Sequence, residues 1–395
     1  MKLCAPIKNL IETDKVELLE LDQGTYKTIY ENGNPLYIDV DWKTKNLPVG
    51  DVIVSYHNYE ETPDLAAVLQ MLKSAHPRAR FYKIATMARS TLDSLRMMAF
   101  LQDHPNMIGL CMGDLGSITR ICAPIFRVPI MYAPLKEEDK NAPGQLLINQ
   151  LCEIYQFRSL NPKTRLFGLI GDPVYRSIGH LFHNDIFRTK KLNAVYLKMV
   201  VNPEELSEFF TYAKKLPFEG LSVTAPLKEA VLPFIDVIDP DAQAMGSVNT
   251  LSFREGKIYG YNTDGEAALD ALGNVQDKTI VVLGAGGSAK AIVYTALQRG
   301  AHVTVVNRTS VKAQELARMF KCDWSEKIPP YDFLVNATSA SMPIQAQDIQ
   351  PRKTVMDIAL YETEFLKEAQ RKQCQCIDGF PLYFRQALAQ QAIWD

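Results

Sequence analysis

The sequence predicts an α/β protein throughout, with a run of βα units first and two more α/β lobes after it. Three observations carry that expectation. Short apolar runs alternate with stretches of helical periodicity from Met1 to about Phe157. A polar, proline-containing link, Asn161-Pro-Lys-Thr-Arg165, precedes a fresh apolar strand at Leu166–Ile170. The β-branched run Thr279-Ile-Val-Val-Leu283 then leads straight into Gly284-Ala-Gly-Gly-Ser-Ala289 and an alanine-rich helical pattern, which reads as a strand, a tight turn and a helix N-terminus.

In the N-terminal segment, Pro35–Asp41, Asp51–His57, Ala79–Ala85 and Met107–Met112 each read as a buried strand, with helical periodicity at Asp64–Lys73 and Thr91–Gln102. Repeated βα units with polar residues toward the strand C-termini predict a (βα)8-type barrel whose chemistry sits on that face. A full barrel of this kind runs to about 250 residues, or about 200 when compact. The segment ending near residue 158 is shorter, so the barrel is expected to be incomplete, with edge strands left unpaired.

His57 and Lys83 stand out because each is polar inside an apolar strand and falls at or near a strand end. A lysine desolvated by its neighbours has its charged form disfavoured and can condense with a ketone. An imidazole on the adjacent strand can move protons beside the resulting imine. A lysine with only its stem buried and a hydrogen-bonded core histidine fit the same pattern.

The 43 Lys+Arg nearly balance the 45 Asp+Glu, which leaves no electrostatic footprint for nucleic acid or an anionic membrane. No apolar run reaches the ~20 residues a membrane helix needs. Met1–Leu10 carries Pro6 and Lys8 where a signal peptide needs its apolar core, so a cytoplasmic location is expected. The seven cysteines are odd in number and scattered, and Cys374 and Cys376 stand too close for the usual zinc clip. Reduced, buried thiols and no metal site are the expectation.

Past the link, Gly171–Asn184 reads as a loop feeding a helix, and Leu221-Ser-Val-Thr-Ala-Pro-Leu-Lys228 as a strand running into a turn. Gly246-Ser-Val-Asn-Thr250 and Gly260-Tyr-Asn-Thr-Asp-Gly265 are turn-rich polar words. Lys228 and Asp264 can meet as a proton-transfer pair; on spacing alone they read as ordinary surface turns.

The glycine turn is more specific. At G-x-G-x-x-A spacing, Gly284 and Gly286 let backbone approach a pyrophosphate, and the helix that starts there offers unpaired N–H groups and the positive end of its dipole. The end of the next strand, His302–Val306, decides which dinucleotide, because a carboxylate there binds a free ribose 2′-OH and repels a 2′-phosphate. That position reads Asn307-Arg308-Thr309, with Lys312 a turn further on. Cations without a carboxylate predict a Rossmann domain that binds NADP, with Gly284, Ala285, Gly286, Gly287, Ser288 and Ala289 forming the turn.

Read together, four words of the N-terminal segment resemble type I 3-dehydroquinate dehydratase: Ser55-Tyr-His-Asn-Tyr59 with Thr62-Pro63, Lys83-Ile-Ala-Thr86, Met112-Gly-Asp-Leu-Gly116 with Arg120, and Ala142-Pro-Gly-Gln145. The resemblance implies that Lys83 forms a Schiff base with the C3 ketone and that His57 removes and returns protons as water leaves. It also implies that Arg120 and Gln145 hold the substrate's carboxylate and hydroxyls. The family's early arginine followed by Glu-Gly-Gly is missing; no arginine precedes Arg78, and Asn141 stands where the family usually has Ser.

From about Leu166 onward, the order G-D-P-V, S-V-T-A-P-L-K, G-S-V-N-T, N-T-D-G, G-A-G-G-S-A, N-R-T and N-A-T closely resembles shikimate dehydrogenase. The resemblance implies a substrate domain and an NADP domain flanking a cleft, with the last helix returning to the substrate domain. It implies Lys228 and Asp264 as the catalytic pair at the C3 oxygen. Ser177, Thr224, Asn249 and Gln386 would bind shikimate, and Asn307, Arg308, Thr309 and Lys312 the 2′-phosphate, with Thr338 also at the cofactor. The family's Ser-x-Ser is Ser177-Ile-Gly179 in this chain, which removes one hydroxyl contact worth about 0.5–1.5 kcal/mol and leaves more room for quinate. Ser341 stands where the family usually has Gly.

The expectation is a bifunctional shikimate-pathway enzyme for aromatic amino acid biosynthesis. Residues 1–158 would be the dehydratase-like barrel, 165–264 the shikimate-binding domain, 265–375 the NADP domain and 376–395 the returning helix. Its partners would be 3-dehydroquinate, 3-dehydroshikimate and shikimate, with no nucleic acid and no membrane; a homodimer is compatible with the sequence. A dehydrogenase carrying an inactive barrel is the alternative.

Overall fold

The computed structural model describes residues 2–6, 18–22 and 26–395, which fall into two compact units, Met1–Glu219 and Gly220–Asp395. The first unit begins with eight strands: β1 (Lys2–Pro6), β2 (Leu18–Asp22), β3 (Lys27–Glu31), β4 (Asn34–Asp41), β5 (Val52–Asn58), β6 (Phe81–Met87), β7 (Ile108–Met112) and β8 (Ile130–Tyr132). One sheet holds them in the order β7-β6-β5-β4-β3-β2-β1-β8. Helices α1 (Leu65–Ala75), α2 (Thr91–Asp103), α3 (Ser117–Ile121) and α4 (Ile148–Glu153) follow β5, β6, β7 and β8 in turn.

From β5 on, the predicted βα alternation is present. Val52, Ile53 and Val54 are all buried, as a strand covered on both faces requires. In α1 the Asp64 carboxylate caps the N–H groups of Ala66 and Ala67, and Leu65, Val68, Leu69 and Leu72 form the buried stripe.

Before β5 the architecture departs from a regular barrel, because β3 runs antiparallel to both β2 and β4. The local cause is legible. Asn32-Gly33, both at positive φ (50° and 79°), is a two-residue hairpin link that cannot carry a crossover helix. Among the described residues, the other strand pairs of this sheet are parallel. The result is a half-barrel in βα terms, with β7 and β8 at the two ends of the hydrogen-bonded ladder.

The first unit continues through β9 (Arg165–Gly171), α5 (Gly179–Thr189), β10 (Ala194–Val200) and α6 (Leu206–Ala213) into β11 (Phe218–Val223). β9 and β10 pair in parallel along their whole length. The half-barrel packs on this segment through α2 against α6, and Thr91 Oγ1 donates to the Val200 carbonyl at 2.5 Å.

In the second unit, α7 (Leu227–Ala230), β12 (Val237–Ile238), α8 (Pro240–Met245), β13 (Thr250–Arg254), β14 (Lys257–Tyr261) and α9 (Asp264–Leu272) come first. β13 pairs antiparallel with β11 and with β14. Then follow β15 (Thr279–Leu283), α10 (Gly287–Gln298), β16 (His302–Val306), α11 (Ser310–Phe320), β17 (Asp323–Trp324), β18 (Phe333–Asn336), β19 (Thr354–Asp357), α12 (Glu364–Arg371), β20 (Gln375–Ile377) and α13 (Gly379–Trp394). Their sheet is parallel in the order β17-β16-β15-β18-β19-β20, so the strand order reverses beside β15, where doubly wound sheets bind their ligands. Ile280 and Val282 pack under α10 on one face, while Val281 and Leu283 pack with Phe365 and Leu366 of α12 on the other.

Helix α13 packs on α9. Its Gln390 donates to the Asn249 carbonyl and to Thr250, and accepts from Ser222. A Cβ on Gly220 would lie 2.3 Å from Trp394 Nε1, so only glycine admits that indole. Among the described residues, no helix is long and apolar enough to cross a membrane, and no group of three or more His, Cys, Asp or Glu side chains could hold a metal ion.

Candidate functional site

Lys228 lies on α7, one turn past the end of β11, with the buried Leu227 beside it as anchor. Its Nζ donates to Asp264 Oδ2 at 2.5 Å and to Ser288 Oγ at 2.8 Å. Asp264 is the first residue of α9, where the positive end of the helix dipole favours a carboxylate. Its other oxygen accepts from Asn249 Nδ2 at 2.8 Å, and its N–H donates to Asn262 at 3.0 Å. Asn249 is itself held on both sides of its amide: Oδ1 accepts from the Thr263 N–H and from Thr250 Oγ1, and Nδ2 reaches Gln386 Oε1 at 3.4 Å.

The structure therefore brings Lys228, Asp264, Asn249 and Gln386 together, and adds Ser288 of the glycine turn to the group. Thr224 sits half-buried at the end of β11, its carbonyl accepting from the Leu227 N–H. Ser177, in the first unit, accepts the Gly179 N–H at 3.1 Å. A Cβ on Gly179 would stand 3.2 Å from Ser177 Oγ and 3.3 Å from the Tyr196 ring. The missing side chain there makes room for Tyr196. Ser341, the other departure noted in the sequence, accepts the Glu364 N–H at 3.1 Å at the start of α12.

The glycine turn has the shape its sequence predicts. Gly284 takes φ +116°, and a Cβ there would crowd Thr338 and the Ala337 carbonyl. Gly287 lies so close to Lys228 that a Cβ would come within 2.9 Å of its side chain. Gly286 starts α10 with no capping side chain, which leaves the first-turn N–H groups open to an anion. A cavity of about 410 Å³ is lined by Ala285, Gly286, Asn307, Arg308, Thr309 and Lys312, and also by Lys290 and Glu229. Lys290 was absent from the sequence reading although it stands on the first turn of α10; its Nζ pairs with Glu229 at 2.6 Å. An uncapped helix start with Arg308, Lys312 and Lys290 around one cavity fits a 2′-phosphorylated dinucleotide.

In the half-barrel, alternate strands aim side chains into one interior layer, as barrel geometry dictates. Asp39 of β4, Lys83 of β6 and Tyr132 of β8 meet there. Lys83 Nζ donates to Asp39 Oδ2 at 2.8 Å and lies 4.1 Å from the centroid of the Tyr132 ring. The Tyr132 hydroxyl reaches the same carboxylate at 3.3 Å, and Ser55 Oγ donates to its other oxygen. Lys83 is the third of seven residues in β6, inside the strand rather than at its end. Asp39 was missed by the sequence reading; its only signal was a carboxylate inside the apolar run Leu36-Tyr-Ile-Asp-Val40.

Burial, and then the Lys83 cation, pull the His57 imidazole down to about 4, against opposing pulls from Asp39 and Asp41. His57 is therefore neutral near pH 7. Arg120 is buried, its Nε has no partner, and one NH group reaches the Tyr132 carbonyl at 3.4 Å. Burial lowers this guanidinium to about 10. A desolvated cation with open donors suits an incoming carboxylate. Gln145 is folded onto its own loop, accepting the Asn141 and Ala142 N–H groups and donating to Asn141 Oδ1. That loop lies on the Met112-Gly113 turn: Gly113 N–H donates to the Pro143 carbonyl, and a Cβ on Gly144 would meet the Gly113 carbonyl oxygen at 2.0 Å.

Comparison with known proteins gives three family matches in this chain order. Type I 3-dehydroquinase matches residues 15–162, the shikimate dehydrogenase substrate binding domain residues 169–251, and shikimate / quinate 5-dehydrogenase residues 266–360. The shikimate biosynthesis protein AroDE of Chlamydia muridarum is 33% identical over 382 residues, covering 91% of this chain and 78% of its own length. The chloroplastic bifunctional 3-dehydroquinate dehydratase/shikimate dehydrogenase of Arabidopsis thaliana is 33% identical over 383 residues, covering 87% of this chain and 63% of its own length. Among solved structures, shikimate dehydrogenase from Aquifex aeolicus is 37% identical with a TM-score of 0.58, covering 60% of this chain and 94% of its own. The Thermus thermophilus shikimate 5-dehydrogenase in complex with NADP(H) and shikimate is 30% identical with a TM-score of 0.55, covering 58% of this chain and 93% of its own. The chain belongs to the family of bifunctional shikimate biosynthesis proteins, in which a type I 3-dehydroquinase region precedes a shikimate dehydrogenase.

Proposed function

We propose that the chain catalyses two consecutive steps: dehydration of 3-dehydroquinate to 3-dehydroshikimate in the half-barrel, then NADPH-dependent reduction of that ketone to shikimate. The observation that carries the reductase is the Lys228 ammonium held 2.5 Å from Asp264 and 2.8 Å from Ser288 of the glycine turn. The α10 N-terminus would hold NADPH, with Arg308, Lys312 and Lys290 available to its 2′-phosphate, and the bound cofactor would supply a hydride. Lys228 meets the negative charge that builds on the ketone oxygen and donates the proton that completes the alcohol. Asp264 holds and aims the ammonium, and Asn249 fixes Asp264. Ser177, Thr224, Asn249 and Gln386 supply hydrogen bonds to the substrate's carboxylate and hydroxyls.

In the half-barrel, Lys83 condenses with the C3 ketone. The neutral His57 then removes a proton from carbon beside the imine and returns it to the departing hydroxyl, which leaves as water. Arg120 takes the carboxylate. Sharing one chain suits the chemistry, since the product of the first step is the substrate of the second. The domain limits we favour are 1–158, 165–264, 265–375 and 376–395. A cytoplasmic location, a homodimeric state and the absence of nucleic-acid or membrane partners complete the proposal; the near-zero net charge supports the last.

Two assays on one preparation test the proposal. NADPH oxidation with 3-dehydroshikimate reports the reductase. Borohydride added with 3-dehydroquinate, followed by mass analysis of the peptide carrying Lys83, reports the imine. Reduction without any Lys83 adduct or enone absorbance would leave a dehydrogenase with an inactive barrel.

A further inference from the structure

The Lys83 ammonium rests in a buried cage and cannot attack a ketone until it loses a proton. Asp39 is positioned to take that proton. Both groups are buried, their atoms are 2.8 Å apart, and the carboxylate is fixed by Ser55 and by the Tyr132 hydroxyl. Tyr132 faces both groups, Arg120 reaches the Tyr132 carbonyl, and His57 on β5 feels the charges of Lys83, Asp39, Lys27 and Asp41. Among the described residues, the hydrogen bond from Lys83 Nζ to a carboxylate goes to Asp39.

We propose that Asp39 is the proton acceptor and counter-ion of Lys83 in imine formation, an inference that rests on the reading of Lys83 as the imine-forming residue. The proton passes from Lys83 Nζ to Asp39. The freed amine attacks the ketone carbon, a C–N bond forms, and the carbonyl π pair moves to oxygen, which takes a proton from the attacking nitrogen. The Asp39 proton then leaves with that hydroxyl as water, and the C=N bond forms with its positive charge on nitrogen. Summed, an ammonium and a ketone become an iminium and water, and Asp39 is a carboxylate at both ends. The buried layer thus holds one cation and one anion before and after the step, so no unpaired charge is left in the apolar interior.

The test uses the full chain in three forms: native, Asp39→Ala and Asp39→Asn. Each is assayed for borohydride capture of 3-dehydroquinate on Lys83, with NADPH-dependent reduction on the same sample as the check of folding. The expected result is capture slowed at least 100-fold in both variants with reduction retained. In Asp39→Ala, added formate should restore capture at least tenfold, while chloride at the same ionic strength should not, because formate can occupy the space of the lost carboxylate. Capture within threefold of native in either folded variant, or a folded Asp39→Ala that formate does not rescue, overturns the proposal. If Asp39→Ala loses reduction as well, Asp39→Asn alone decides by the same threefold limit. Absence of adduct in the native chain would instead sink the reading of Lys83 itself.

Discussion

Asn249 and Asp264 are joined by a 2.8 Å hydrogen bond from Nδ2 to Oδ1, which leaves the other carboxylate oxygen to Lys228. One amide thereby sets the angle at which the ammonium is presented. Asn249→Ala strips partners from the Asp264 oxygen, the Thr263 N–H and the Thr250 hydroxyl together. Leaving buried polar groups unpaired costs about 1–3 kcal/mol. The expected outcome is a lower urea midpoint for loss of reductase activity, with kcat also reduced.

Lys228→Met and Asp264→Asn should each lower kcat for 3-dehydroshikimate reduction by roughly 10²–10⁴-fold. The KM should change far less, because the oxygen's charge is present mainly in the transition state. Steady-state kinetics separates the two terms. A rise in KM alone would move these residues from catalysis to binding.

Arg308→Ala with Lys312→Ala should weaken NADPH by at least tenfold while leaving the KM for NADH nearly unchanged, since only the former carries the 2′-phosphate. Lys290→Ala is expected to act in the same direction more weakly, as its charge is already shared with Glu229. Initial rates with both cofactors decide the matter.

Burial holds three histidines neutral: His57 and His180 at about 4, and His183 at about 3. Between pH 6.5 and 4 the unfolded chain binds protons that the folded chain refuses. Stability therefore rises with pH across that window, and this contribution levels off above about 6.5. For His183, stacked on Tyr196 and 1% exposed, the slope approaches about 1.4 kcal/mol per pH unit. Urea midpoints from pH 4.5 to 7.5 should show the rise, and His183→Phe should flatten it. A midpoint that falls with pH over this range would contradict the assignment.

Much of this molecule was legible one residue at a time. The four half-barrel strands named from sequence fall within two residues of β4, β5, β6 and β7, because strands covered on both faces must be apolar along their whole length. The glycine turn was equally plain, since Gly284 at φ +116° admits few other residues. The hairpin at Asn32-Gly33 carried a local signal too, and it explains why β4 runs against β3.

What one dimension could not supply was the company each charge keeps. Asp39 is 44 residues from Lys83, and Ser288 is 60 from Lys228; no periodicity links such positions. Strand and helix are written by side-chain pattern, which is a property of near neighbours. Which carboxylate faces which ammonium is settled only when sheets curl and helices dock, because only then is water removed and each buried charge left with the partners that packing allows.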